Sequence, residues 1–283
     1  MPNSQHTKAK RFRALHENSK ALLIPNPWDA GSARVLAALG YQALATSSGA
    51  AAGVLGRRDG EISRDEALTH AREIVTATDL PVSADLEHGF GDAPDTVAET
   101  IRLAAVAGLV GGSIEDSTGN PAQPQYPFDI AVARVAAAIA AARALDFPFT
   151  LTARAENFVC GNPDLDDTIQ RLQAYERAGA DVLFAIGLPD LAAVRAVCAA
   201  VKKPVNFMAG MPGKSFSVAE LEAAGVRRIS LGTSLYKCAM SNLVAAAREV
   251  ADMGSFGYLD RTLAGTALNQ LLHEGANTST ASE

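Results

Sequence analysis

From residue 21 onward the chain alternates short apolar runs with longer Ala-rich segments whose apolar positions recur at helical spacing, and turn residues mark each junction. "ALLIPNPWD" precedes "AGSARVLAALG"; "YQALATSSG" precedes "SRDEALTHAREIVTAT"; "LPVSADLE" precedes "APDTVAETIRLAAVAG". "LVGGSIED", "FTLTARAEN", "DVLFAIG", "PVNFMAG" and "RRISLGT" each lead in the same way into a helical segment, giving eight strand-helix units. Continuous apolar strands are buried on both faces, and Gly40, Gly108, Gly179 and Gly225 stand where helices should stop, so a parallel sheet covered by helices is predicted. Eight units in 283 residues predict an α/β fold of the closed (β/α)8 TIM-barrel type rather than an open doubly wound sheet. No GxGxxG or GxxxxGK[ST] is present to favour a dinucleotide or P-loop fold.

Residues 1–20 read as a helix lying over one end of the barrel. A further helical segment, roughly Leu259 to Leu272, lies beyond the eighth unit, and the Thr/Ser-rich "ANTSTASE" reads as disordered. The predicted boundaries are 1–258 for the barrel with its N-terminal helix and 259–283 for the C-terminal segment.

A net charge of −6, with no basic run beyond pairs such as Arg57-Arg58, leaves no footprint for nucleic acid or an anionic membrane. Cys160, Cys198 and Cys238 are odd in number and widely spaced, which fits a reducing compartment and neither a disulfide framework nor a zinc site. With no signal-peptide stretch or membrane-length apolar run, a cytoplasmic protein acting on a small molecule is expected.

In a barrel the chemistry sits at the C-terminal strand ends. Those positions hold Asp29, Ser47, Ser48, Asp59, Asp85, Glu87, Glu115, Asp116, Arg154, Glu156 and Asn157, followed by little but small or apolar residues on strands six to eight. Strand alternation would send Asp85 and Glu87 to one side, Arg154 and Glu156 to one side, and Glu115 and Asp116 to opposite sides. Two carboxylates about 4 Å apart repel by roughly 4 kcal/mol at an effective dielectric of about 20, so converging Asp85, Glu87 and Glu115 need a cation or a shared proton. Mg2+ is the expected ion, with Mn2+ the alternative, because it accepts few protein ligands and leaves positions for a chelating substrate. Arg154, in an otherwise apolar strand, must meet Glu156, Glu115 or an anionic ligand. The amide-rich "LATSSGAAAG" loop could hold an oxyanion or close as a plain turn. Asp65, Asp129, Asp166 and Asp190 are assigned to helix starts, Asp29 to a cap or the site, and His88 to orienting a neighbour or facing solvent. His6, His16, His70 and His273 receive no role.

Together "TSSGAAAGVLGRRDG", "SADLEHGFGD", "GGSIED" and "LTARAENF" resemble the isocitrate lyase/phosphoenolpyruvate mutase superfamily over about residues 26–257. That resemblance implies a barrel whose eighth helix is exchanged between subunits of a dimer, with dimers pairing into tetramers. It implies that Asp85 binds Mg2+, that Glu87 and Glu115 help through waters, and that Asp59 lies on a mobile loop near the reacting centre. Ser47 and the amides of Ser48 and Gly49 would hold a 2-oxo acid carboxylate, and Arg154 would face enolate or carboxylate oxygens. The isocitrate and methylisocitrate lyases carry K-[KR]-C-G after I-E-D, whereas here Asp116 is followed by "STGNPAQPQYPFD", so those two activities are not expected. Of the mutases' longer loop only Asn120 finds a counterpart, as a substrate contact, and residues 117–127 read as a gating lid or a passive surface loop. The expected function is a Mg2+-dependent lyase that cleaves a C–C bond of a small 2-oxo or 2-hydroxy (di)carboxylic acid through an enolate. The alternatives are a C–P phosphonomutase or hydrolase and a 2-oxo acid binding protein without turnover.

Overall fold

The computed structural model describes residues 4–276. Its eight strands are β1 (Leu22–Ile24), β2 (Leu44–Ala45), β3 (Val82–Asp85), β4 (Gly111–Glu115), β5 (Thr150–Ala155), β6 (Val182–Ala185), β7 (Val205–Met208) and β8 (Arg228–Ser230). All are parallel and pair in the order β1-β8-β7-β6-β5-β4-β3-β2. The remaining seam is bridged where the Ala45 amide donates to the Pro25 carbonyl at 3.1 Å, so the sheet is the nearly closed barrel that the eight units predicted.

The helices are α1 (Gln5–Leu15), α2 (Ala30–Ala38), α3 (Ser48–Val54), α4 (Arg64–Ala77), α5 (Pro94–Val106), α6 (Phe128–Arg143), α7 (Leu165–Ala178), α8 (Leu191–Ala200), α9 (Val218–Ala223), α10 (Ser234–Arg248) and α11 (Gly265–Ala276). Their starts follow from local chemistry. Asp29, Ser63, Asp164, Asp190 and Ser217 each accept a first-turn amide, so Asp29 is a cap rather than a site residue. Gly40, Gly108, Gly179 and Gly225 adopt positive φ just past helix ends, as their placement predicted. Residues 48–54, read from sequence as a loop, form α3 instead; Ala50, Ala51 and Ala52 are buried there.

α1 closes the end of the barrel opposite the strand C-termini. It buries Ala9, Phe12 and Leu15, and Phe12 lies where a side chain on Gly111 would project: an added Cβ would stand 2.9 Å from Phe12 Cε1 and 2.8 Å from the Thr150 carbonyl. Burying the Phe12 ring contributes on the order of 2–3 kcal/mol.

Beyond the eighth strand the chain leaves the barrel. α10 contains no buried residue and exposes Met240, Leu243 and Val244; a π turn (Glu249–Met253) and a 3-10 turn (Gly257–Arg261) follow it. The chain then returns as α11, which lies along α2 so closely that Gly275 meets the Arg34 carbonyl. The predicted disordered tail falls, apart from Ala276, outside the described residues. No helix among those described is long and apolar enough to cross a membrane.

Candidate active site

A cavity of about 170 Å3 runs from the loops at the strand C-termini down into the barrel. Its wall includes Ser47, Ser48, Asp59, Asp85 and Arg154 from the predicted set, and Asn206, Arg228 and Ser230, which sequence reasoning passed over. At roughly 30 Å3 per water, the space suits a small acid.

Arg154 organises the acids. Its Nη1 lies 2.9 Å from Asp85 Oδ1 and 3.1 Å from Glu115 Oε2, and its Nη2 and Nε lie 2.9 and 3.0 Å from Glu156 Oε1. Arg154 of β5 and Glu156 just past its end therefore lie on one side, as alternation predicted. Asp85 Oδ2 accepts from the Ser48 hydroxyl at 2.9 Å and the Ser48 amide at 3.2 Å, which fastens the start of α3 to the end of β3. Glu115 Oε1 accepts from Ser117 Oγ at 2.6 Å.

Glu115 and Asp116 do diverge. Asp116, 1% exposed, turns outward to accept from Tyr175 Oη at 2.6 Å, Arg171 Nη1 at 3.1 Å and the Glu156 amide at 2.8 Å. Glu87 reaches the cluster by another route than strand parity. β3 ends at Asp85, and Glu87 has φ 49°, in the left-handed region that alternation does not cover. The segment behind it, including Gly89 and Phe90 at φ 85° and 60°, is held by buried Arg134 of α6, which donates to the carbonyls of His88, Gly91 and Asp92.

The acids carry more negative charge than one guanidinium balances. Burial, then Asp85, Glu115 and Asp59, push Glu87 up to about 8. Burial raises Glu156 to about 8 against the pull of Arg154, and it raises Glu115 as well. Glu87 Oε1 is buried with no hydrogen-bond partner among the described residues.

Asp59 sits on an exposed turn but faces the cavity, and a Cβ on Gly49 would stand 2.9 Å from Asp59 Oδ2 and 2.8 Å from Thr233 Cγ2. Ser47 and Ser48 line the wall. Asn120 does not: it is exposed, and its side chain accepts from the Ala122 amide at 3.0 Å within its own loop, which is short enough to be satisfied locally. His88 is half-buried beside Phe90 and is tied to the site only through its backbone.

No three His, Cys, Asp or Glu side chains among the described residues are placed to cage a metal. Arg154 Nη1 lies between Asp85 and Glu115 and pairs with both. The donor set does fit a hard ion held by one carboxylate and waters, since Asp85 faces the cavity and the buried Glu87 Oε1 lacks a partner.

Arg228 and Asn206 were missed because they lie at the beginnings of β8 and β7, below the strand ends that the sequence reading sampled. Arg228 Nε donates to Asn206 Oδ1 at 2.8 Å, and Asn206 Nδ2 donates to Ser230 Oγ at 3.1 Å. Burial, and then the charge of Arg154, push Arg228 down to about 9, so it stays charged at neutral pH.

Residues 12–251 match the phosphoenolpyruvate phosphomutase family. The chain is 35% identical over 210 residues to 2-methylisocitrate lyase of Escherichia coli K12, covering 71% of this chain and 70% of that one. It is 31% identical to oxaloacetate decarboxylase 2 of Pseudomonas fluorescens Pf0-1, over 99% of this chain and 97% of that one. A solved structure from Burkholderia cenocepacia J2315, described only as a lyase or mutase, superposes with a TM-score of 0.92 at 53% identity, covering 94% and 95% of the two chains. The chain belongs to the isocitrate lyase/phosphoenolpyruvate mutase superfamily and is an enzyme of its lyase and mutase kind.

Proposed function

We propose that this member of the superfamily is a Mg2+-dependent lyase that breaks a C–C bond of a small 2-oxo or 2-hydroxy (di)carboxylic acid through an enolate. The observation that carries it is Arg154, fixed by Asp85, Glu115 and Glu156 at the wall of a small cavity and so preorganised toward an oxygen on which negative charge develops. Ser48 holds Asp85 through two hydrogen bonds, so the carboxylate and the guanidinium keep their spacing while substrate enters. Asp85, with Glu87 and Glu115 behind it, would hold a divalent ion, which would supply Lewis-acid stabilisation of developing negative charge on the substrate. Asp59 moves the proton: among the described residues it is the one carboxylate of the wall besides Asp85, and no Cys or Lys among them lines that wall. The exposed apolar residues of α10 fit a second copy of the chain, in line with a homo-oligomer.

The test is turnover of a panel of 2-oxo acids and 2-alkylmalates with Mg2+, then with EDTA and in Asp85→Ala, each of which is expected to abolish product formation. Activity indifferent to both changes refutes the proposal, and turnover of phosphonopyruvate seen by phosphorus NMR would replace it with C–P chemistry.

A further inference from the structure

The barrel holds a second buried guanidinium. Arg228 is 6% exposed, lines the same cavity as Arg154, and makes no ion pair with any acid among the described residues. The register places Arg154, Phe184, Asn206 and Arg228 abreast on β5, β6, β7 and β8, and both cations line one cavity from strands that β6 and β7 separate. Their surroundings differ sharply. Arg154 is surrounded by three carboxylates; among the described residues Arg228 has Asn206 as its one side-chain acceptor, and its buried Nη1 has no partner among them. His16, the titratable group on its other side, is held neutral with its pKa down to about 4, by burial first and by Arg228 second. A buried cation with no counter-ion carries a desolvation cost that stability alone gives no reason to keep.

We infer that Arg228, with Asn206 and Ser230 beside it, binds the far carboxylate of a dicarboxylic substrate whose reacting end lies against Asp85 and Arg154. This rests on the proposed lyase reading for the reacting end and adds the substrate class. The uncompensated charge, the unused Nη1 and the neighbouring amide and hydroxyl together form an anion subsite at the floor of the cavity. A guanidinium also stabilises a carboxylate as the anion and so opposes its departure as CO2; the inference therefore assigns cleavage that leaves this carboxylate on the departing fragment.

The experiment compares racemic malate with racemic 2-hydroxybutyrate, which differ by a carboxylate in place of a methyl group, by calorimetry in Mg2+. Wild-type protein is expected to bind malate about tenfold or more tightly than 2-hydroxybutyrate. Arg228→Met should abolish that preference while leaving 2-hydroxybutyrate unchanged, and Arg228→Lys should retain part of it. The ligand-free Arg228→Met protein should melt no lower than wild type, because an unpaired buried charge has been removed; a merely structural Arg228 would instead lower the midpoint. Equal affinity for the two acids in the wild type, or equal loss of both in Arg228→Met, overturns the inference. Should Arg228→Met fail to fold, a structural role is indicated and the inference is refuted. A malate preference that depends on Arg228 in a protein that turns over no acid upholds the subsite and sinks the lyase reading. Lyase turnover with a preference untouched by Arg228→Met does the reverse.

Discussion

Replacing Glu87 by Gln tests the electrostatics of the site without requiring a known substrate. The Glu87 carboxyl titrates at about 8 in the folded protein against an ordinary 4.5. Between those values the folded state keeps a proton that the unfolded chain has released, so stability falls as pH rises, and the loss levels off above about 8. At about 1.36 kcal/mol per unit of displacement, the penalty grows by roughly 2.5 kcal/mol from pH 5 to pH 7, and by nearer 1.5 if water reaching the half-buried group screens it. Glu87→Gln cannot titrate and should lose that share of the slope. The residual slope combines Glu115 and Glu156, which shift in the same direction, with His16, whose pKa lowered to about 4 acts in the opposite sense up to about pH 6.5. Urea unfolding of both proteins in EDTA at pH 5, 6 and 7 gives the comparison directly. The gap between them should widen by about 1.5–2.5 kcal/mol in favour of the variant as pH rises. Curves that stay parallel within about 0.5 kcal/mol would show that Glu87 is ionised and compensated in the folded protein, and the charge balance derived for the site would be wrong.

Gly49→Ala should lower kcat/KM about tenfold or more with little change in thermal midpoint, since the new methyl displaces Asp59 and Thr233 while alanine suits a helix at least as well. Unchanged kinetics would remove Asp59 from the chemistry. Asp116→Asn should cost about 3 kcal/mol in urea unfolding, because Arg171 and Tyr175 lose a buried charged acceptor. A cost under about 1 kcal/mol would mean that the Asp116 network is not a stabilising element.

Much of the fold was legible because a closed parallel barrel buries every strand on both faces, which writes eight apolar runs into the chain. α3 was not, since "SSGAAAG" has too few large side chains to show a helical period. The acids around Arg154 were legible as strand-end residues, and the divergence of Glu115 from Asp116 followed from alternation. Glu87 came to the cluster by a positive φ that periodicity cannot encode. Arg228 and Asn206 escaped notice because a polar residue at the start of a strand looks like a boundary, and only the tilt and pairing of the barrel turn it toward the cavity. Asn120 shows the converse, a residue placed by resemblance whose side chain serves its own turn.

Arg134 grips the corner bearing Glu87 entirely through main-chain oxygens. Those hydrogen bonds do not depend on which side chains occupy positions 88 and 90, apart from the backbone angles they must accept, whereas the Asp92 carboxylate accepts from Tyr126 Oη beneath the Arg134 guanidinium. Variation at positions 88 and 90 could retune what the mouth of the barrel admits without unseating the acid beneath it. In this architecture, the freedom to change clientele and the fixity of the reactive corner are inherited from different parts of the same residues.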